Sequence, residues 1–220
     1  MNQVTFLLPA FNEELTIGKV IDSAVTEGIL AQNIIVGDNN STDRTAEIAL
    51  SKWAKVIPVP EQGKGHVVRE LVRHVETPYA VLSDADDTYH IQGTLGRITD
   101  LLAHYGSVLT YRRPEHGSMS MLHRVGNNGL SLIASALFGY WIKDVVSGMW
   151  AFRRDVIREI EIGTGTFTPD ADFVAGVLKL GIPVKQIPVR YYPRPDGSAS
   201  KLKWTHGIAI AARLVERRFE

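Results

Sequence analysis

The run Tyr79-Ala-Val-Leu-Ser83 is apolar and ends abruptly in Asp84-Ala-Asp86-Asp87-Thr88. Carboxylates this close repel one another unless a cation lies between them. A hard divalent ion, Mg2+ or Mn2+, needs only one or two carboxylate anchors when phosphate oxygens complete its shell. Asp84 and Asp86 are therefore candidate metal ligands beside a phosphorylated substrate. A bare D-x-D is also what a solvated acidic turn looks like, so its place in the fold decides between the two. In open α/β sheets ligands bind outside the carboxyl ends of the strands, and here the acids end a strand-like run.

The elements needed to position them are readable upstream. Val4 to Leu8 predicts a buried strand, followed by a helix from about Glu14 to Glu27. Asn33 to Gly37 is a second strand, which opens into Asp38-Asn-Asn-Ser-Thr-Asp43, where Ser41 or Thr42 is suited to cap a helix running to Trp53. A third strand, Lys55 to Val59, leads through Gly63-Lys64-Gly65 into a helix ending at His74. The acidic strand and a helix from Ile91 to His104 complete the alternation. Alternating strands and helices predict a mostly parallel, doubly wound α/β sheet, with the loops at 12–14, 38–43, 63–65 and 84–87 on one edge. Asp38 there can accept hydrogen bonds from a base or ribose, or simply close an Asx turn. Gly63-Lys64-Gly65 offers close backbone approach and one cation but lacks the P-loop pattern.

Beyond a strand at Ser107 to Tyr111 the regularity stops. Arg112-Arg113-Pro-Glu-His-Gly-Ser118 reads as a mobile basic loop. The helix from Met121 to Gly139 carries Leu122, Val125, Leu130, Leu132, Ile133, Leu137 and Phe138. Such a helix is usually core, but Arg124 at its start also suits a surface that receives a lipid phosphate. A strand through Trp150, a helix from Pro169 to Leu180 with Asp170 and Asp172 at its start, and a strand from Val184 to Val189 follow. A loop then carries Arg194 and Lys201, and a tail helix places Ile208, Ala211, Ala212 and Val215 on one side.

Bulk composition agrees with a globular chain. Its 220 residues are 45% hydrophobic with a net charge of zero, so nothing points to nucleic acid. Residues 1–104 hold 8 basic and 14 acidic side chains, whereas residues 185–220 hold 8 and 3. A basic C-terminal side fits a protein that meets something anionic there. Cysteine is absent, which excludes disulfides and thiolate chemistry. The start lacks the basic region and cleavage site of a signal peptide.

Six segments in one order carry a resemblance: Pro9-Ala-Phe-Asn-Glu-Glu14, Asp38 to Asp43, Gly63-Lys-Gly65, Asp84-Ala-Asp86-Asp-Thr88, Ser147-Gly-Met-Trp-Ala-Phe-Arg-Arg154, and Tyr192-Pro-Arg194 with Ser200-Lys-Leu202. The chain resembles the inverting GT-A glycosyltransferases of family 2, and among them the polyprenyl-phosphate (dolichyl-phosphate) mannose and glucose synthases. The resemblance implies a GT-A catalytic domain over residues 1–202, with a nucleotide and metal half (1–104), an acceptor half (105–202), and an amphipathic interfacial helix over 203–220. It implies nucleotide-sugar contacts at Pro9, Ala10, Asn12, Glu14, Asp38, Asn40, Lys64, Asp84, Ala85 and Asp86. Metal contacts fall to Asp84 and Asp86, with Mg2+ or Mn2+ as cofactor. Arg112, Arg124, Arg194 and Lys201 would hold the acceptor phosphate, and Asp84, Asp86, Arg194 and Lys201 would carry catalysis. Trp150 departs from the pattern, standing where the family often has Arg.

The implied reaction moves a hexose from a UDP- or GDP-sugar to a polyprenyl phosphate, at the cytoplasmic face of a membrane with peripheral contact. A phosphate nucleophile is already ionised and needs no base. A soluble hydroxyl acceptor would need one, and Asp144, Asp170 and Asp172 are the candidates. The rival from another class is a phosphohydrolase with Asp84 as nucleophile, since D-x-D-x-T after a strand fits such enzymes. Its second acidic motif, however, would have to follow, whereas Gly37-Asp38 precedes.

Overall fold

The computed structural model describes residues 2–164, 169–198 and 204–220. Seven strands form one sheet in the order β3-β2-β1-β4-β6-β5-β7. They are β1 Val4–Ala10, β2 Ile34–Asp38, β3 Lys55–Pro58, β4 Tyr79–Ser83, β5 Ser107–Pro114, β6 Met149–Arg153 and β7 Val184–Tyr191. The helices between and after them are α1 Ile17–Thr26, α2 Thr45–Ser51, α3 Lys64–Arg73, α4 Thr94–Leu102, α5 Met121–Phe138, α6 Arg154–Glu159, α7 Pro169–Lys179 and α8 Trp204–Phe219.

Alternate residues of the central strands enter two cores. Phe6, Leu8, Val36 and Val81 pack with Ile17, Ile21 and Ile98 of α1 and α4 on one face. Leu7, Ile35 and Leu82 pack with Leu71 of α3, Phe173 of α7, and Ile210 and Leu214 of α8 on the other. Burial on both faces is why these strands read as continuous apolar runs, and each such side chain contributes about 1.5–3 kcal/mol. Trp150 is 1% exposed and stacks on Phe152 at 5.9 Å. Its indole N–H donates to Ser147 O at 2.9 Å, so the residue that departs from the family pattern serves the core.

One strand runs against the rest. β6 pairs antiparallel with both β4 (Leu82↔Trp150) and β5 (Leu109↔Trp150), while β1 with β2, β1 with β4, β2 with β3, and β5 with β7 are parallel. Its reversal carries the start of β6, and Ser147-Gly148 before it, to the edge where β4 ends. Asp84 N donates to Gly148 O at 3.1 Å there.

Two expectations need correction. Arg112 and Arg113 are not in a mobile loop, because β5 continues through Pro114 in register with β7 to Pro114↔Tyr191. Neither Ser41 nor Thr42 caps α2; they bond the Asn12 loop instead, and Asp43 Oδ1 accepts from Thr45 N at 3.0 Å. For α8, whose four-residue stripe the sequence did not assign to either side, the structure leaves Ile208 and Val215 exposed, at 62% and 44%, while Ile210 and Leu214 turn inward. That helix is docked by charge as well. Asp172, fully buried, accepts from Arg213 Nε at 2.8 Å, with Arg217 Nε at 3.4 Å.

Candidate active site

The carboxyl ends of β1, β2 and β4 carry three non-glycine residues in the left-handed region: Asn12 (φ 51°), Asn40 (φ 62°) and Asp87 (φ 57°). Asn and Asp tolerate that conformation better than other residues, and such concentrations of unusual backbone mark functional edges. A cavity of about 390 Å3 opens beside them. Pro9, Ala10, Glu13, Asn39, Lys64, Asp84, Ala85, Asp86, Asp170 and Arg194 are among its walls, with His206 and Ile210 of α8 closing one side.

Local bonds fix the charged groups. Asn39 Nδ2 donates to Val59 O at 3.0 Å and Glu61 O at 2.7 Å, and its Oδ1 accepts from Gly63 N at 2.9 Å. Asn39 thereby shapes the glycine turn from which Lys64 Nζ reaches Asp84 Oδ1 at 2.9 Å. Residues 88–90 zip onto the end of β7, where Tyr192 N donates to Thr88 O at 2.8 Å and His90 N to Arg190 O at 3.1 Å. This junction brings Arg194 Nη2 onto Asp86 Oδ2. Asp86 Oδ1 accepts from Thr88 N at 3.2 Å.

The electrostatics are those of an anion-rich site held by cations. Burial raises the Asp86 carboxyl above its ordinary range, and the Asp84 charge adds to this against Arg194. Burial works against the Lys64 charge too, but Asp170 and Asp84 outweigh it and hold the ammonium firmly protonated. Burial pushes Asp170 up to about 6 despite Lys64. One Asp170 oxygen, Oδ1, and Arg194 Nη1 are buried with no hydrogen-bond partner. Such atoms in a cavity wall are satisfied by what enters it.

Among the described residues no cluster of three or more His, Cys, Asp or Glu forms a metal cage. Two mutually repelling carboxylates facing a cavity fit a hard divalent cation whose remaining ligands come from a diphosphate. Gly148 supports that fit. A Cβ on it would stand 1.8 Å from Asp84 Oδ2, so the chain leaves open the space that the carboxylate uses.

The cavity gathers Pro9, Ala10, Lys64, Asp84, Ala85, Asp86, Arg112 and Arg194. Asn12, Glu14, Asp38 and Asn40 stand beside it. Asn12 Oδ1 accepts from Thr42 N at 2.8 Å, Glu14 Oε2 from Arg44 N at 3.2 Å, and Asp38 Oδ1 from Ser41 N at 3.4 Å, so these side chains brace the loops. Arg124 lines a second cavity of about 190 Å3 with Lys143, Asn127, Asn128 and Arg112. Lys201 lies outside the described residues. Glu13, Asn39, Tyr191 and His206 were not anticipated. The Asn-Asn pair after Asp38 offered a signal for Asn39, but the loops give no period that distinguishes it from Asn40.

A carboxylate pair at the end of β4, a lysine from a glycine turn and an arginine after β7 thus meet in one cavity at the edge of the sheet. The chain belongs to glycosyl transferase family 2, whose description matches residues 5–161. It is 34% identical over 204 residues to glycosyltransferase AglJ of Haloferax volcanii, an alignment covering 90% of this chain and 66% of that protein, just under two thirds of its length. It is 30% identical over 225 residues to dolichyl-phosphate hexose transferase of the same organism, covering 98% of this chain and 96% of that one. The fold matches glucosyl-3-phosphoglycerate synthase of Mycobacterium tuberculosis bound to phosphoglyceric acid, with a TM-score of 0.75 at 22% identity, over 99% of this chain and 80% of that one. A further crystal of that synthase holds Mn2+, UDP and glucosyl-3-phosphoglycerate.

Proposed function

We propose that the protein transfers a hexose, with inversion, from a UDP- or GDP-sugar to a polyprenyl phosphate at a membrane surface. An acceptor phosphate oxygen attacks the anomeric carbon, the bond from that carbon to the diphosphate oxygen breaks, and the nucleoside diphosphate leaves. Lys64 and Arg194 hold the diphosphate and stabilise the charge it gains. Asp84 and Asp86 would hold Mg2+ or Mn2+, which supplies further stabilisation of the leaving diphosphate when bound. Donor reading falls to Pro9 and Ala10 at the β1 end, with Asn39 fixing the turn beside them.

The observation that supports a lipid acceptor is the exposure of α5 beside the cationic second cavity. Met121, Leu122 and Val125 are 82%, 78% and 64% exposed, contrary to the core role that their spacing suggests. Arg124 lies among them on the same turn, and Lys143 lines the same cavity. An apolar helix face with cations at its base suits a lipid surface and a phosphate headgroup. Among the described residues no helix is long and apolar enough to cross a membrane. The likeness to the dolichyl-phosphate hexose transferase agrees with this acceptor.

A second reading, a small soluble acceptor with a hydroxyl, draws on the fold neighbours solved with phosphoglyceric acid and on Asp170 as a carboxylate available for proton removal. One experiment separates the two. Label from UDP- and GDP-sugars is followed into an organic-extractable product, with divalent metal, and with polyprenyl phosphate present or omitted. Acceptor-dependent label in the organic phase is expected; donor consumption without it would overturn the lipid acceptor.

A further inference from the structure

Three carboxylates of the C-terminal half could face substrate, and their partners sort them. Asp144 has both oxygens on the Arg112 guanidinium, at 2.7 Å each. Asp172 is taken by Arg213, by Arg217 and by Gly163 N at 2.8 Å. Asp170 differs. It is 6% exposed, lines the main cavity, and keeps Oδ1 without a hydrogen-bond partner. A buried acceptor left so is costly unless a ligand supplies the donor.

The chemistry of that ligand is constrained. A phosphate carries the wrong charge for a carboxylate and offers it no proton when ionised. A hydroxyl donates readily. Position narrows the choice further. Asp170 shares the cavity with Pro9, Asn39, Lys64 and Asp84, and Lys64 and Asp84 are the charges it feels most. With the nucleoside read at the β1 and β2 end and the diphosphate at Lys64, the remaining hydroxyl-bearing group of the donor is the sugar.

We propose that Asp170 selects the transferred sugar, its carboxylate accepting a hydrogen bond from a hexose hydroxyl. This deepens, and rests on, the nucleotide-sugar reading above. Asp172, two residues further along α7, is held by the two arginines of α8, so the turn that presents Asp170 is fixed before substrate arrives. Such pre-positioning is what lets a buried polar group discriminate, since an analogue lacking the hydroxyl leaves the carboxylate unpaired.

The test is calorimetric binding, with Mn2+ present, of the bare nucleoside diphosphate, its preferred hexose ester and the matching deoxy-hexose esters. Wild type, Asp170→Ala and Asp170→Asn are compared. Wild type should lose about tenfold in affinity with one deoxy ester. Asp170→Ala should lose the same with the natural donor and show no further loss with that deoxy ester, while binding the bare diphosphate at least as well as wild type, since Lys64 loses an opposing charge; that binding also reports an intact fold. Asp170→Asn, retaining a neutral acceptor, should fall between. Equal affinity of wild type and both variants for the natural donor would overturn the proposal. So would unchanged donor binding with turnover lost and its acidic pH limb removed, which would make Asp170 a base toward a hydroxyl acceptor. A wild-type protein that binds no nucleoside diphosphate would instead overturn the nucleotide-sugar reading itself, and this proposal with it.

Discussion

Gly148 faces Asp84 so closely that an added Cβ would stand 1.8 Å from Asp84 Oδ2 and 2.4 Å from its Cγ. The contact follows from the reversed direction of β6, which brings a backbone turn rather than a side chain to the end of β4. Gly148→Ala must therefore move Asp84 or part the two strands. Activity should fall at least about 100-fold with the far-UV circular dichroism retained, the order seen when one electrostatic group of an active site is lost. Metal-dependent nucleotide binding measured by calorimetry should weaken with it, and a fully active variant would show the position of Asp84 to be unimportant.

Asp86 holds Arg194 and is the more buried of the two acids, at 2% exposure. Asp86→Ala should abolish transfer, by about 100-fold or more, while urea unfolding stays cooperative. Residual activity near wild type would remove Asp86 from any metal role.

Asp170 gives a pH signature. Its folded carboxyl is raised to about 6 from an ordinary 3.8, chiefly by burial. Between those values the folded chain keeps a proton that the unfolded chain has released, so stability falls as pH rises through that window and is level above it. Asp170→Asn removes this cost and should stabilise the protein by roughly 1–3 kcal/mol at pH 7.5, with no gain at pH 4. Urea titrations at the two pH values check it; a pH-independent difference would contradict the burial argument.

Arg112 and Asp144 form an ion pair with both side chains only 9% exposed. Removing one partner strands the other charge, so Asp144→Ala should cost about 3–5 kcal/mol in chemical denaturation. Replacing both by apolar residues, Arg112→Met with Asp144→Leu, should recover most of that loss.

The exposed face of α5 makes a separable prediction. Leu122→Asp with Val125→Asp should reduce flotation with anionic vesicles while leaving hydrolysis or binding of the donor unchanged. Arg124→Ala should raise KM for polyprenyl phosphate about tenfold and leave KM for the donor alone. Coupled changes in both constants would place Arg124 elsewhere in the reaction.

Sequence reading recovered the strand and helix alternation up to α4 because those elements are local and buried on both sides of the sheet. The same periodicity misled for α5, whose residues are apolar around most of the helix and whose Met121, Leu122 and Val125 are exposed. Which stripe turns inward depends on partners far along the chain, as when Arg213 and Arg217 meet Asp172. Arg112 read as loop because its strand partner, Val189, lies beyond three intervening helices and β6. The acidic motif was legible because it ends a strand-like apolar run. The separate fates of Asp144, Asp170 and Asp172 were not, since only the folded arrangement shows which carboxylate oxygens already have hydrogen-bond donors.

The arginine clamp on Asp172 also orders events in time. His206 and Ile210 wall the substrate cavity, and α8 is held there by Arg213 and Arg217. On the ribosome, where chains fold from the N-terminal end, the strands and helices up to α4 can assemble early while this side of the cavity stays open and Asp172 lacks its cations. The cavity is thus walled on that side only when residues 204–220 have emerged. Amino-terminal tags and fusions will leave that last step undisturbed, whereas changes after α8 will be felt at the substrate.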